Sequence, residues 1–175
     1  MIPRVINKAS YYDVDLQLIR DHIREWDDEI APDDYLKALS NSAWSWIENY
    51  LNRQLSKSLV ELTIDEDIAG RPFYLPYGEV ISIVDVKDKK SKPVSYQYDS
   101  GSERITLSRG FQTPYKVVFE CGYLAYSVIP QSIRMAHLML VATLYQQRED
   151  QSPIGVNSVS FNIKALLDTF RYRPI

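Results

Sequence analysis

Apolar residues recur at helical spacing in the first third of the chain. Leu16, Ile19, Ile23 and Trp26 are spaced three, four and three apart, which predicts a short helix over about residues 15–27. Asp13 or Asp15 would cap it. Pro32 interrupts the pattern, and a second helix is predicted over about residues 34–55. The apolar stripe of this second helix is Leu36, Leu39, Ala43, Ile47, Tyr50 and Leu51, with Trp46 and Leu55 alongside.

The middle of the chain alternates between apolar and polar positions, as strands do. Strands are predicted at about 58–64, 79–87, 94–98, 104–108 and 115–121. The third and fourth of these are expected to pair as a hairpin. The segment RPFYLPYGE (71–79) holds two prolines and a glycine, so a loop or an edge strand is expected there. The prediction is a small antiparallel sheet of four or five strands within about residues 58–122.

A third helix is predicted over about residues 130–149, with Pro130 in its first turn. It is expected to be central, because it carries two adjoining apolar stripes. The first is Ile133, Ala136, Leu140 and Leu144, and the second is Met135, Leu138, Met139, Ala142 and Tyr145. One stripe would face the first two helices, and the other the sheet or a neighbouring subunit. SVSFNI (158–163) is expected to be a short strand or an extended arm.

Together these elements predict an α+β protein rather than an alternating α/β one. Residues 1–163 would form a single domain, in which a small antiparallel sheet is inserted into an α-helical bundle of two N-terminal helices and a long central helix. Residues 164–175 would form a short helix and a C-terminal arm.

Composition narrows the class of protein. The formal net charge of −3 over 175 residues gives no general basic footprint for nucleic acid. Cys121 is the one cysteine, so no internal disulfide is expected, in keeping with a reducing compartment. We expect neither a signal peptide nor a membrane span, because no apolar run is long enough. The 13 tyrosines suit either an interface or a tyrosine-rich rim of the core.

No catalytic, metal-binding or cofactor-binding residue is predicted. His22 and His137 lie on different helices, near apolar stripes, where a core or rim histidine is the favoured interpretation. Cys121 ends a strand without a sign of a positioned base. The glycines form neither a P-loop nor a dinucleotide fingerprint. An enzyme is therefore not expected, although an active site assembled from scattered residues is an alternative.

Two charged clusters have competing interpretations. The acidic run, Asp27, Asp28, Glu29, Asp33 and Asp34, is expected to be a solvated, helix-capping loop rather than a cation site. The lysine turn, Lys87, Lys89, Lys90 and Lys92, is expected to be a solvated hairpin tip, with phosphate contacts as the alternative. The alternative would make the chain a nucleic-acid-binding or regulatory module.

Four segments, in order along the chain, resemble the head–tail connector (adaptor) family of tailed bacteriophages. The opening helices carry Asp33, Asp34, Ile47, Glu48, Tyr50, Arg53 and Leu55. A "Leu-Pro…Val-x-Ser-Ile" strand follows, with Leu75, Pro76, Val80, Ser82, Ile83 and Val86. A strand–Gly-Tyr–Pro–helix segment has Gly122, Tyr123, Pro130, Tyr145, Arg148 and Glu149. The closing "Leu-Leu-x-x-Tyr-Arg" has Phe170 in place of tyrosine. The chain departs from the family in residues 1–12 and in the short spacer after Arg148.

The resemblance implies a non-enzymatic virion protein without a cofactor. Such a protein forms a ring, typically of twelve copies, on the portal protein at the head–tail junction, after assembly in the host cytoplasm. The ring extends the DNA channel, which DNA crosses without sequence-specific binding, and offers a surface to a stopper or tail-completion protein. No membrane is involved. A stopper or tail-completion role for the chain itself is the nearest alternative.

The resemblance also assigns roles to two segments. The C-terminal arm would dock on the portal through Phe170, Arg171, Tyr172, Arg173 and Ile175. The acidic run would face the channel and repel DNA so that it slides.

Overall fold

The computed structural model describes residues 1–23, 31–146 and 161–172, which fall into two compact units. The β unit comprises Met1–Ser10, Arg53–Leu124 and Tyr172–Ile175. The helical unit comprises Tyr11–Asn52 and Ala125–Arg171. The predicted α+β class is confirmed.

The β unit contains two antiparallel sheets. Its described strands are β1 (Ile2–Lys8), β2 (Ser58–Ile64), β3 (Pro72–Tyr74), β4 (Val80–Lys87), β5 (Tyr96–Asp99), β6 (Arg104–Leu107) and β7 (Tyr115–Cys121). One sheet has the order β1-β2-β7-β4 and the other β3-β6-β5. The predicted β5–β6 hairpin is confirmed.

The sheet prediction needs two corrections. A single sheet was expected, but residues assigned to an N-terminal extension form β1, an edge strand paired with β2. The segment 71–79 does contain an edge strand, β3, as one of its two predicted alternatives, but this strand belongs to a second sheet with β6 and β5. Proline is tolerated at an edge, because a missing N–H breaks no ladder there.

Alternation along β2 and β7 builds the core of the β unit. Every second residue of each strand is buried, and the others are exposed or half-buried. Val60, Leu62, Val117 and Phe119 are among the fully buried side chains. Each such side chain contributes about 1.5–3 kcal/mol through its removal from water. Cys121 is buried in the same core.

The helical unit contains four described helices, α1 (Leu16–Ile23), α2 (Asp33–Leu51), α3 (Gln131–Gln146) and α4 (Phe161–Asp168). Asp15 caps α1, because its Oδ1 accepts the N–H of Gln17 at 2.9 Å. Helix α2 ends four residues earlier than predicted. Asn52 stops it in the left-handed conformation, at φ +53°, which asparagine tolerates better than most residues.

Helix α3 packs against α1, α2 and α4. Its first predicted stripe is buried through Ile133, Ala136 and Leu140, whereas Met135 on the second stripe is 41% exposed. The arrangement differs from the predicted bundle, since α2 spans 19 residues, α3 spans 16, and α4 completes the packing. Arg148 and Glu149, in the last part of the predicted third helix, lie outside the described residues, as does Trp26.

Helix α4 corrects the prediction for residues 161–163, the described part of the segment 158–163. Residues 161–163 are helical rather than extended, and the predicted domain boundary at 163 falls inside α4. Ile163 and Leu167 are its buried residues. No helix in the described ranges is long and apolar enough to cross a membrane.

Candidate functional site

The side chain of Tyr172 occupies a recess of the β unit. Its hydroxyl donates to the carbonyl oxygen of Leu75 at 2.7 Å. The guanidinium carbon of Arg53 lies 5.8 Å from the centre of the Tyr172 ring, within cation–π range. We call Arg53, Leu75, Glu79 and Tyr123 the Tyr172 socket. Arg53 and Leu75 contact Tyr172, and Glu79 contacts both Arg53 and Tyr123.

Glu79 is the polar centre of the socket. Its Oε1 accepts the hydroxyl of Tyr123 at 3.2 Å and lies 3.5 Å from Nη1 of Arg53. Its backbone N–H donates to Oε1 of Glu103 at 2.7 Å. The carboxylate therefore joins a tyrosine and an arginine from distant parts of the chain.

A turn of unusual backbone conformation presents Glu79. Tyr77, Gly78 and Glu79 have φ values of +72°, +62° and +50°, a region in which L side chains are disfavoured. A Cβ atom at Gly78 would stand 2.5 Å from Nη1 of Arg53. A side chain at this position would therefore push the Arg53 guanidinium away from its place beside Glu79.

Gly122 brings Tyr123 to the socket. Gly122 has φ +102°, and a Cβ atom there would stand 2.4 Å from the carbonyl oxygen of Ser56. The N–H of Gly122 donates to the carbonyl of Glu79. The next N–H, that of Tyr123, donates to the carbonyl of Leu55. Both sides of the socket are thus fixed by backbone hydrogen bonds.

The two tyrosine hydroxyls of the socket remain protonated at neutral pH. Burial, reinforced by the Glu79 carboxylate, raises the pKa of Tyr123. Burial also raises the pKa of Tyr172, with Glu103 adding to the effect and Arg53 opposing it. Both hydroxyls can therefore donate to their carboxylate or carbonyl partner throughout the physiological range.

The socket and Tyr172 bring together residues from three of the segments that carry the family resemblance and the residue that follows the fourth. Arg53 comes from the first, Leu75 from the second, Tyr123 from the third, and Tyr172 follows the closing pattern. The sequence analysis did not predict a role for Glu79. A Pro-Tyr-Gly-Glu turn was visible at 76–79, but nothing in it indicated a partner for the carboxylate.

The described part of the predicted docking arm contacts its own chain. In the helical unit, the N–H groups of Phe170 and Arg171 donate to the last turn of α4. The Arg171 guanidinium lies 5.3 Å from the Tyr50 ring centre. In the β unit, Tyr172 fills the socket. Arg173 and Ile175 lie outside the described residues.

The lysine turn lies between β4 and β5 and is organised by Asp88. Oδ1 of this buried carboxylate accepts the N–H groups of Lys90 and Lys92, each at 2.9 Å. Lys87 forms an ion pair with Asp85 at 2.5 Å, which distinguishes it from the other three lysines of the turn. Lys89, Lys90 and Lys92 are exposed.

The acidic run is described only at its end. Asp33 and Asp34 occupy the first turn of α2, where a negative charge is favourable. Asp33 pairs with Arg20 at 2.6 Å. Asp27, Asp28 and Glu29 lie outside the described residues.

His137 is a core histidine, whereas His22 is half-buried near the end of α1. The His137 ring stacks on Trp44, with centroids 3.9 Å apart, and its Nε2 lies 3.1 Å from Oγ of Ser40. Burial lowers the pKa of His137 to about 4. Within the described ranges, no group of three or more histidine, cysteine, aspartate or glutamate side chains is placed to hold a metal ion.

These two units define a fold found among virus-like particles. Over its whole length the chain matches a chain of the virion of a native gene transfer agent (GTA) particle, with a TM-score of 0.73, 19% identity and 97% of that chain covered. It also matches chains of the neck of an empty GTA particle, computed with C6 symmetry, and of a native one, computed with C12 symmetry. Each of these two has a TM-score of 0.71, 19% identity, and coverage of 100% and 97% of the two chains. Neither a family model nor a curated protein matches the sequence. At this identity, the structural matches establish the fold.

Proposed function

We propose that the protein is a structural component of the neck of a tailed phage or phage-like particle. In this role it is a head–tail connector that assembles as a ring on the portal, extends the DNA channel and presents a surface to a stopper or tail protein. The observation that carries the proposal is the fold shared, end to end, with a chain of a GTA virion and its neck. The order of the four connector-like segments supports it independently.

Ring formation is the next step of the proposal. The matched necks carry six-fold or twelve-fold symmetry, and a head-to-tail interface between identical subunits closes into such rings. Helix α3 offers a surface for this contact. Met135 is exposed, and Met139 and Ala142 on the same face are half-buried. Methionine adapts its shape to a partner, which suits repeated interfaces.

The portal contact is assigned to the C-terminal arm. Because Tyr172 is held in its socket, the arm leaves the subunit from a fixed point on the β unit. Arg173 and Ile175 would then supply the charged and apolar anchors on the portal. Fixing the start of an arm reduces the conformational entropy that its docking costs.

The proposal is tested by native mass spectrometry and negative-stain electron microscopy of the purified chain, alone and with its cognate portal. A ring, or a ring formed only when the portal is present, is the expected outcome. A chain that stays monomeric and does not bind the portal would refute the connector role. A ring that binds a preassembled portal–adaptor complex instead of the portal would assign the chain to the stopper or tail-completion position.

A further inference from the structure

One end of the β unit gathers loops from three strand connections. Ile64 at the end of β2 pairs with Tyr115 at the start of β7, and Lys87 at the end of β4 pairs with Lys116. Segments 65–71, 88–93 and 108–114 therefore leave the sheet at the same end. A hydrogen bond joins two of them, since Lys89 N–H donates to the carbonyl of Gln112. Gly70 N–H donates to the carbonyl of Leu107 at the end of β6, next to segment 108–114.

Five exposed cationic side chains lie on these loops. We call them the basic end: Arg71, Lys89, Lys90, Lys92 and Arg109. Within the described residues, none of their charged groups is within 4.0 Å of a carboxylate. The lysines on the neighbouring strands do form ion pairs: Lys87 pairs with Asp85, and Lys116 pairs with Glu61.

The lysines of the basic end are held on a fixed turn. Asp88 is 6% exposed, and its carboxylate is occupied by the backbone N–H groups of Lys90 and Lys92. Burial opposes ionisation of Asp88, but these backbone N–H groups and that of Gln112 outweigh it, so the pKa of the carboxyl is lowered. The carboxylate of Asp88 is thus buried, whereas the side chains of Lys89, Lys90 and Lys92 are exposed to solvent.

The two arginines line the same cleft. Arg71 and Arg109 line a depression of about 350 Å³ together with Asp67, Ala69, Gly110 and Phe111. The Arg109 side chain crosses Gly70 so closely that a Cβ atom there would stand 2.7 Å from its Nε. Arg109 thus lies against Gly70, and within the described residues it forms no ion pair.

Acidic residues border the basic end without neutralising its lysines. Asp65, Glu66 and Asp67 follow β2, whereas the lysines follow β4, and β7 lies between these strands. Two strand spacings separate the two loops by roughly 10 Å at their base, which is about one Debye length at 0.1 M salt. The Oδ1 of Asp67 also accepts the N–H of Ala69.

We propose that the basic end is a contact surface for the phosphate backbone of double-stranded DNA. Five separate cations on three loops suit a row of phosphates better than a single carboxylate, because each can meet a different phosphate. Lysine contributes point charges without base specificity, so the contact is independent of sequence. The proposal does not rest on the connector role, since the isolated chain must show the binding.

The test is fluorescence anisotropy of a labelled 20-bp mixed-sequence duplex between 50 and 200 mM NaCl. Five phosphate contacts predict that affinity falls about 500-fold over this range. The triple variant Lys89→Gln, Lys90→Gln, Lys92→Gln leaves two contacts, so its affinity should fall only about 12-fold. A second duplex of unrelated sequence should bind equally well.

A matched control removes the same charge elsewhere. The triple variant Arg4→Gln, Lys37→Gln, Lys164→Gln changes three cations outside the basic end, and it should keep the salt dependence of the original chain. Equal loss in both triple variants, or no DNA binding at 50 mM NaCl, would overturn the proposal. Tighter binding of a polyglutamate peptide than of DNA would also overturn it, in favour of an acidic protein partner. A chain that binds DNA but forms no ring would separate this proposal from the connector role.

Discussion

At the scale of single residues, His137 couples the stability of the helical unit to pH. Its pKa falls from 6.5 to about 4 because the ring is buried against Trp44. The unfolded chain therefore takes up the proton first as the pH falls. The stability that the neutral ring contributes is fully present above about pH 6.5 and is lost between 6.5 and 4.

We predict that His137→Gln weakens this pH dependence. Between pH 7 and pH 4.5 the original chain should lose about 2 kcal/mol of unfolding free energy through His137 alone. In the variant, the loss of unfolding free energy over this pH range should be smaller by that amount. Urea unfolding at the two pH values measures it. His22→Gln, which removes the other histidine, should retain the full dependence. Equal pH dependence in all three proteins would contradict the assignment.

A second residue-scale prediction concerns Gly122. Gly122→Ala should cost about 4 kcal/mol, because a left-handed backbone costs about 1–2 kcal/mol and the new Cβ atom must displace the Ser56 carbonyl, which would lie 2.4 Å away. Gly110→Ala is the matched control. It has a similar φ of +96° but nothing within 4 Å of a Cβ atom, so only the backbone cost should appear. Thermal unfolding of both variants gives the comparison, and similar losses would exclude the steric explanation.

At the scale of elements, local hydrophobic patterns predicted the bounds of a strand correctly where one face of the strand is buried. The predicted strands at 58–64 and 115–121 match β2 and β7 residue for residue, because both strands alternate along a buried face. The N-terminal strand β1 was missed. Its residues are mostly exposed, so burial imposes no alternation on them, and its partner β2 begins fifty residues later.

Helix α3 allows a direct test of an element-scale prediction. Leu140→Asp should unfold the subunit, because Leu140 is 2% exposed and a buried carboxylate there would have no partner. Met135→Asp introduces the same charge on the same helix at a residue that is 41% exposed, and it should fold normally. Circular dichroism and size-exclusion chromatography show whether each variant is folded. A folded Leu140→Asp monomer would show that the buried face is assigned wrongly.

At the scale of the whole molecule, the Tyr172 socket shows what sequence patterns could not supply. Tyr172 and Leu75 are 97 residues apart, and Tyr123 and Glu79 are 44 apart. Periodicity reports only local burial, so it cannot pair such residues. Their physical link is a backbone turn with three consecutive positive φ values, which no residue pattern revealed.

The last prediction separates the anchor of the C-terminal arm from its proposed docking residues. Tyr172→Phe removes one hydrogen bond to Leu75 and keeps the ring under Arg53, so it should destabilise the chain by about 1 kcal/mol and still allow portal binding. The double variant Arg173→Ala, Ile175→Ala leaves the socket intact, so it should melt like the original chain and bind the portal much more weakly. Calorimetry and a portal pull-down measure the two properties. If the double variant bound the portal as well as the original chain, the arm would have no part in docking, and the exposed face of α3 would become the next surface to test.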